Sequence, residues 1–222
     1  MKRRKDMLTS NKEDYLKIIY EEGGFENPVT NKVIAEKLGV APPSVSEMIV
    51  KLDKQGLITY EAYKGSQLTK AGLDACIELI RSHRLWEVFL TSHLGYSLRE
   101  SHEYAHLLEH ISDSLLIDRL NHYLEYPEVC PHGFVIPQKG QGPNKINNNH
   151  KKLSQVSPHD IVKIVRVFED GALLDYLEQS GVEIGKTIEV VHVADYEGPI
   201  TFNQDNREIV LSYKAATQVF VV

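Results

Sequence analysis

Residues 30–68 constrain the fold of this chain more than any other segment. Two short amphipathic helices are predicted there, over Thr30–Leu38 and Ser44–Gln55, with Gly39 between them. Glycine after the last helical residue is a common helix stop, because it adopts the left-handed conformation without strain. The pair Lys64-Gly65 then separates two short extended runs and predicts a hairpin. Helix, tight turn, helix and two-stranded hairpin is the order of a winged helix-turn-helix.

Further helices are predicted before and after this segment. A helix over Asn11–Glu22 carries its apolar residues on one side, and Ser10 with Glu13 matches the pattern of a capping box. Three more helices are predicted over Lys70–Thr91, Leu98–His110 and Ser112–Tyr126. The front of the chain is therefore expected to be mainly helical.

From His159 onward the pattern changes to short β-type runs. Strands are predicted over Ile161–Phe168, Thr187–Val193, Ile200–Phe202, Glu208–Leu211 and Thr217–Val222, with one short helix over Ala172–Ser180. Five short strands at this spacing favour a small, partly open barrel.

A division into domains follows from these patterns. We expect a winged-helix domain over residues 1–70, a helical domain over 71–140, a linker over 141–157 and a β domain over 158–222. The linker is predicted from the Pro, Gly and Asn content of that stretch. The fold class is mostly α with a smaller β part.

Composition excludes several classes of protein. The basic start Met1–Lys5 is followed by Asp6 and polar residues, and not by the apolar stretch of a signal peptide. No run is apolar enough to span a bilayer, so no membrane partner is expected. The two cysteines, Cys76 and Cys130, lie far apart in sequence, which argues against a disulfide framework and suits a reducing cytoplasm.

The formal net charge of −6 is unevenly distributed. Residues 1–70 carry 12 Lys and Arg against 10 Asp and Glu, whereas residues 71–222 carry 13 against 21. A slightly basic front on an acidic body is compatible with phosphate contact by one face only. It also indicates that the acidic part gains from a bound cation.

The candidate DNA-contacting residues lie in three places. They are Arg3, Arg4 and Lys5 in an N-terminal arm, Ala41, Pro43, Ser44, Ser46, Glu47 and Lys51 on the third helix, and Tyr63 and Lys64 on the hairpin. A helix fits the major groove, and small polar residues on its first turn let the backbone approach the bases. The plain alternative is a helical packing module, since the third helix carries no Arg.

Metal-ligand side chains are concentrated in the helices that follow. His83 and Glu87 share one helix face, and His102, His106 and His110 repeat at four-residue steps. Further donors are Glu109 beside His110, Cys130 and His132 in a turn, and Asp14 on the first helix. Mixed nitrogen, oxygen and sulfur donors suit Mn(II), Fe(II), Co(II) or Zn(II).

Other interpretations of these residues stay open on the pattern alone. A single His/Glu pair on a helix is often a solvated surface pair, and a lone cysteine is often a small buried apolar residue. The spacing His102-Glu103-x-x-His106 matches the form of a zinc hydrolase, although nothing else indicates a third ligand or a substrate cleft. Cys130 alternatively suggests a redox-sensing regulator.

Several blocks of this sequence together resemble the diphtheria-toxin-repressor family of metalloregulators. The resemblance is greatest to the manganese-transport-regulator branch that retains a C-terminal domain. The blocks are Asn11–Lys17, Pro42–Met48, Tyr63–Gly65 with Leu68-Thr69, His83–Glu87, His102–His110, and Cys130–Gly133 with Ile136-Pro137. They cover nearly the whole chain in order. The resemblance implies a winged-helix domain, a helical dimerisation and metal domain, and an SH3-like β-barrel of the iron-transport accessory type.

The resemblance also implies two metal sites. One is assigned to Asp14, His106, Glu109 and His110, and the other to His83, Glu87, His102 and His132 with Asp170 from the C-terminal domain, while Cys130 is assigned to either. Asp at position 14 is typical of manganese-responsive relatives, where iron-responsive ones carry Met. Mn(II) is therefore expected, with Fe(II), Zn(II) and Co(II) as alternatives. Relatives usually place Glu or Cys where this chain has His106, which softens the site.

The function implied is a metal-dependent repressor of metal-uptake genes, and not an enzyme. It is expected to bind double-stranded operator DNA with an inverted repeat as a homodimer, and to act on no small organic substrate. A metal ion that bridges Asp14 and the helical domain is expected to favour the state in which both half-sites are engaged.

Overall fold

A computed structural model describes residues 8–139 and 150–222 of the protein. The helices are α1 (Ser10–Glu21), α2 (Asn31–Leu38), α3 (Pro42–Lys54), α4 (Lys70–Leu94), α5 (Leu98–Glu109), α6 (Ser114–Tyr123), α7 (Gly171–Ser180) and α8 (Tyr213–Ala216). The strands are β1 (Ile58–Glu61), β2 (Gly65–Leu68), β3 (Lys151–Lys152), β4 (Ile161–Val167), β5 (Thr187–Val193), β6 (Ile200–Gln204), β7 (Arg207–Leu211) and β8 (Val219–Val221). Among these residues, no helix combines the length and apolar character that a membrane span requires.

The chain divides into two compact units. The first comprises the described parts of Met1–His83, Leu107–Asp118 and Pro137–Asn144. The second comprises the described parts of Arg84–His106, Arg119–Ile136 and Lys145–Val222.

The first unit contains the helix-turn-helix. The Thr30 side chain accepts a hydrogen bond from the Val33 N–H at 3.4 Å and so caps α2, which ends at Gly39 with φ 64°. Pro42 stands in the first turn of α3, where no backbone N–H is needed. The apolar faces of these helices join one core, formed by Tyr15, Leu16, Ile19, Tyr20, Val29, Ile34, Ala35, Val45, Ile49, Leu52, Ile58, Cys76 and Ile80.

The wing is the antiparallel pair β1–β2, and a third backbone segment extends it. Ile58 pairs with Leu68 and Glu61 with Gly65. Val29 then exchanges two backbone hydrogen bonds of 2.8 Å with Ser66, which ties the wing to the start of α2. Gly65 has φ 119°, and a Cβ at this position would lie 2.2 Å from the Val29 oxygen. Only glycine permits this approach of the two backbones.

The second unit contains the C-terminal sheet. Six antiparallel strands pair in the order β3-β8-β4-β5-β6-β7, and register shifts interrupt the β4–β8 and β5–β6 pairs. Such bulges bend a sheet and increase its twist, as closure toward a barrel requires. The sheet packs with α7 and α8 on one apolar core, which includes Leu153, Ile164, Leu174, Phe202 and Val219.

The fold class expected from the sequence is confirmed: a helical winged-helix and dimerisation part, then a six-stranded SH3-like sheet. One predicted helix end differs from the structure, and two short elements are additional. Helix α6 ends at Tyr123, because Glu125 and Tyr126 take left-handed backbone conformations. Strand β3 and helix α8 were not predicted.

The predicted linker over 141–157 mostly lies outside the described residues. Its last part does not behave as a linker, because Lys151–Lys152 pairs with β8 and Leu153 is fully buried in the sheet core. The structure thus begins the C-terminal fold earlier than residue 158. The predicted capping box is also wrong, because α1 is preceded by Thr9 and has no side-chain cap.

We predict that Gly65→Ala destabilises the helix-turn-helix. The added methyl group would overlap the Val29 carbonyl, so the wing must separate from that segment or distort. Gly39→Ala is the matched control, because Gly39 has φ 64° and a methyl group added there would enter open space. It should cost only the left-handed backbone penalty of about 1–2 kcal/mol. Calorimetric unfolding of both variants tests this, and equal losses of stability would contradict it.

Candidate functional site

A cluster of carboxylates and histidines joins α1 to the end of α5 in the first unit. One donor atom from each of Asp14, Glu109 and His110 lies within 4.8 Å of the others. The His110 Nε2 is 3.1 Å from Asp14 Oδ1 and 3.6 Å from Glu109 Oε1. These three residues are called group A.

Glu13 orients the His110 ring within group A. The His110 Nδ1 lies 2.7 Å from Glu13 Oε2. An ionised carboxylate can only accept, so Nδ1 donates to it and Nε2 faces Asp14 and Glu109. Burial raises the pKa of Glu13, while the hydrogen bond and charge of His110 oppose that rise. A histidine that donates its other N–H to a carboxylate is the usual arrangement of a metal ligand.

Glu109 is the most enclosed member of group A, since its side chain is 0% exposed. The Lys17 ammonium donates to Oε1 at 3.1 Å and to Oε2 at 3.0 Å. The His83 Nδ1 lies 2.7 Å from Oε2. A buried carboxylate is tolerated when it is paired and hydrogen-bonded, and these two residues supply both.

A second cluster lies wholly in the second unit. Its members are Glu87, Cys130, His132 and Glu169, whose donor atoms all lie within 4.8 Å of one another, and His102 belongs to a set with Glu87 and Glu169 at the same spacing. Glu87 Oε1 is 3.0 Å from the His102 Nδ1 and 3.1 Å from the His132 Nδ1. Glu87 and His132 are fully buried. These five residues are called group B.

The His132 ring is fixed by the backbone of α5. Its Nε2 lies 3.1 Å from the Leu98 carbonyl oxygen, which can only accept, so Nε2 carries the proton and Nδ1 faces the carboxylates. Burial disfavours the charged ring, but the hydrogen bond and charge of Glu87 and the charge of Glu169 outweigh it and raise the pKa of His132. A proton and a metal ion therefore compete for the same nitrogen.

Cys130 contributes the sulfur of group B. Burial, reinforced by the negative charges of Glu87 and Glu169, raises the pKa of its thiol well above the ordinary value. A buried thiol with a raised pKa is a poor nucleophile toward peroxide, because the thiolate is the reactive form. The surroundings of Cys130 therefore argue against redox sensing and favour a ligand that loses its proton to a cation.

Both groups fit a divalent cation by the chemistry of their donors. Group A joins two carboxylates and an imidazole nitrogen, and group B adds a thiol to the same types of donor. In group B, the Glu169 Oε1 is buried and makes no hydrogen bond with any described residue. An unsatisfied buried carboxylate oxygen is costly, and a metal ion in that position would satisfy it.

A backbone junction brings Glu169 to group B. The Val167 N–H donates to the His132 carbonyl at 3.1 Å, which joins β4 to the turn that carries His132. Gly133 has φ 88°, and a Cβ there would lie 1.9 Å from the Val165 oxygen. The Arg166 guanidinium lies over the Phe134 ring at 5.3 Å. Backbone pairing and this cation–π contact hold the sheet against the turn.

Most of the expected ligands fall into one of the two groups. Asp14, Glu109 and His110 come together, as do Glu87, His102, Cys130 and His132. His106 lies on α5 four residues before His110, a spacing that puts both on one helix face, and the His83 Nδ1 lies 2.7 Å from Glu109 Oε2. Asp170 caps α7 by accepting from the Leu173 N–H at 2.9 Å, and its neighbour Glu169 faces group B instead.

Three residues of the clusters were missed in the sequence. Glu13 matches a helix cap in its spacing, but its side chain faces His110. Lys17 lies three residues after Asp14, a spacing that puts both on one helix face and could have indicated it. Glu169 was missed in favour of Asp170, although Asp directly before a helix is a common N-cap.

The geometry of α5 does not support a hydrolase. Glu103, the general base of that alternative, is exposed and pairs with Arg99 at 2.8 Å. His102 turns its Nδ1 to Glu87. His102 and Glu103 therefore contact different partners and do not form a common site.

The outer face of α3 is open to a DNA groove. Val45, Ile49 and Leu52 are buried on its inner face. The candidate contact residues Ala41, Pro43, Ser44, Ser46, Glu47 and Lys51 are all exposed. Lys51 pairs with Glu47 at 2.6 Å, and such an exposed pair contributes so little that it yields readily to a phosphate.

The wing tip offers a second exposed contact. Tyr63 is fully exposed and takes a left-handed backbone conformation, φ 68°, which is uncommon for an aromatic residue. Lys64 beside it is exposed and pairs with Glu61. The expected contacts of Arg3, Arg4 and Lys5 lie outside the described residues.

Comparison with known protein families matches the chain in three consecutive parts. Residues 7–66 match "Iron dependent repressor, N-terminal DNA binding domain", and residues 69–138 match "Iron dependent repressor, metal binding and dimerisation domain". Residues 151–222 match the "FeoA domain". The chain belongs to the iron-dependent repressor family, which includes the diphtheria toxin repressor, and is a metal-dependent transcriptional repressor and not an enzyme.

Individual relatives agree over almost the full length. The diphtheria toxin repressor of Corynebacterium diphtheriae is 26% identical over 216 residues, 92% of this chain and 93% of the relative. The crystal structure of ScaR with bound Zn2+ is 40% identical, with a TM-score of 0.77, over 96% of this chain and 99% of that chain. The structure of the manganese regulator SloR is 38% identical, with a TM-score of 0.75, over 97% and 99%.

We predict that Gly133→Ala loosens the junction between β4 and the His132 turn. The added methyl group would overlap the Val165 carbonyl, so the Val167 amide should lose its partner and exchange its hydrogen faster. Gly185→Ala is the control, because Gly185 has φ 90° and a methyl group added there would enter open space. Hydrogen exchange at Val167 is the measurement, and unchanged protection in Gly133→Ala would refute the role given to this contact.

Proposed function

We propose that this repressor is activated by Mn(II), binds an inverted-repeat operator as a homodimer, and controls genes of metal uptake. The observation that carries the proposal is group A, whose ligands come from α1 of the DNA-binding part and from the end of α5. Metal binding and the position of α3, the helix proposed to contact DNA, are therefore linked through one cluster.

The donor chemistry of group A supports Mn(II). Asp14 and Glu109 supply carboxylate oxygens and His110 one imidazole nitrogen, a set that suits harder ions than thiolate sites do. The similarity to the manganese regulator SloR points in the same direction. Group B contains Cys130, so its preference extends to softer ions such as Zn(II), the ion named for the ScaR structure.

The mechanism follows from charges that the chain itself supplies. Glu13, Asp14 and Glu109 converge on His110, and close carboxylates repel one another. A divalent cation bound to these donors would remove that repulsion and cross-link α1 to the end of α5. Because α1 shares its core with α2 and α3, fixing α1 restricts the orientations available to the DNA-contacting helix α3. The metal-bound state then binds DNA better, which is a population shift.

An apolar surface of the first unit supports dimer formation. Leu107, Ile111, Leu115 and Leu116 are 64%, 75%, 58% and 45% exposed, respectively. Several exposed apolar side chains this close together in sequence favour a protein interface. They fall within the residues that match the metal binding and dimerisation domain. We propose that this surface meets a second copy of the chain and spaces two α3 helices on the two half-sites.

His110→Ala should abolish metal-dependent operator binding. Loss of the imidazole removes one donor of group A, whereas His122→Ala removes an exposed histidine of α6 and serves as the control. An operator is first selected from random DNA with Mn(II), and its affinity is then measured with chelator, Mn(II), Fe(II) and Zn(II). We expect Mn(II) to raise the affinity of the parent and of His122→Ala by at least about tenfold, a coupling of about 1.4 kcal/mol. Affinity that no metal changes in the parent would contradict the proposed function.

Glu169→Gln should weaken metal binding at group B without affecting group A. The substitution keeps the size of the side chain and removes its charge beside His132. Asp170→Asn is the matched control, because asparagine also caps a helix and the α7 cap would persist. Calorimetric titration with Zn(II) should show a loss of roughly tenfold or more at one site in Glu169→Gln alone. Equal losses in both variants would assign the role to Asp170 as well.

A further inference from the structure

Lys17 is a cation placed among metal-type donors. Its ammonium lies 3.1 and 3.0 Å from the two Glu109 oxygens and 3.3 Å from the His83 Nδ1. Its side chain is only 12% exposed, so this is a partly buried contact and not a surface pair. The positive group is thus held directly beside both oxygens of a carboxylate that belongs to group A.

The balance of charge around group A matches one divalent ion. Among the described residues in these contacts, Glu13, Asp14 and Glu109 bring three carboxylates, and Lys17 brings the one permanent positive charge. Two negative charges remain when the carboxylates are ionised, which is the charge that one divalent cation neutralises. A second such ion would leave the cluster with excess positive charge in a poorly solvated place.

The Lys17 ammonium also lies beside the two side chains that could bind a second ion. His83 and Glu109 approach one another to 2.7 Å, and they could serve as donors to a second ion beside group A. Lys17 contacts both donors, so an ion bound to them would lie against a fixed positive charge. With a neutral or acidic side chain at position 17, those donors would be available and the repulsion would be absent.

We propose that Lys17 is a positioning residue that limits group A to a single divalent ion by keeping its ammonium on Glu109 and His83. This inference rests on the proposed function, because it takes group A as the metal site. It also gives Lys17 a second effect: the ammonium holds α1 to Glu109 when no metal ion is present, so that metal adds to an existing link.

The test counts Mn(II) ions in a chain whose group B is disabled by His132→Ala. In this background we expect one Mn(II) per chain with Lys17 and two with Lys17→Glu, whose carboxylate would replace the ammonium with a ligand. Two ions that share Glu109 should also give an exchange-coupled Mn(II) electron paramagnetic resonance signal, which the parent lacks. Lys12→Glu makes the same change of charge on α1 and leaves the pairing of Lys17 with Glu109 intact, so it should bind one ion.

Lys17→Gln provides a second measurement in case Lys17→Glu folds poorly. It should lower the unfolding temperature in chelator and show a larger rise on addition of Mn(II) than the parent, because the metal then supplies the whole link. One ion in Lys17→Glu, a coupled signal in the parent, or an unchanged unfolding temperature in Lys17→Gln would each overturn the inference. Failure of the His132→Ala chain to bind any Mn(II) would overturn the proposed function together with it.

Discussion

The buried carboxylate of Glu109 is the constraint on which the first unit depends. An ionised carboxylate removed from water needs compensating charge and hydrogen bonds, and truncating either partner would leave an expensive unpaired group. Glu109 obtains them from Lys17 on α1 and from His83 on α4, while His110 follows it at the end of α5. One side chain therefore joins three helices, and one of them belongs to the core of the helix-turn-helix. A metal ion bound at this junction, as proposed, would act on the helix-turn-helix through α1.

Group B shows how a residue that follows a strand of the C-terminal sheet can join a cluster of metal-type donors. Glu169 closely follows the end of β4. The hydrogen bond from the Val167 N–H to the His132 carbonyl fixes the position of that strand end against the turn. A strand end is a rigid support, so the position of Glu169 depends on backbone pairing more than on its own side-chain conformation. The turn needs glycine at position 133 for the same reason, since any side chain there would separate the two backbones.

The sequence predicted the larger elements because they rest on local signals. Helix periodicity, Gly39 and the Lys64-Gly65 turn are read within a few residues, and the fold class followed from them. The choice between neighbouring polar residues was harder. Glu169 and Asp170 are adjacent acids, and only the start of α7 decides that Asp170 caps the helix while Glu169 faces His132. Glu13 matches a capping box in sequence, yet its carboxylate is used by His110, 97 residues away along the chain. Such long-range pairing has no local signal.

The two groups differ in the positive charges that oppose an incoming cation. In group B the Cys130 thiol and the His132 ring both have raised pKa values, so a metal ion competes with protons there and its affinity increases with pH. In group A the opposing charge is the Lys17 ammonium, which stays paired with Glu109 and is attached to α1. The protonation of Cys130 and His132 varies with pH, whereas the Lys17 ammonium is covalently attached to the chain beside Glu109. Group A is therefore the better suited of the two to measure the concentration of a metal ion, because the charge it must overcome is built into the chain.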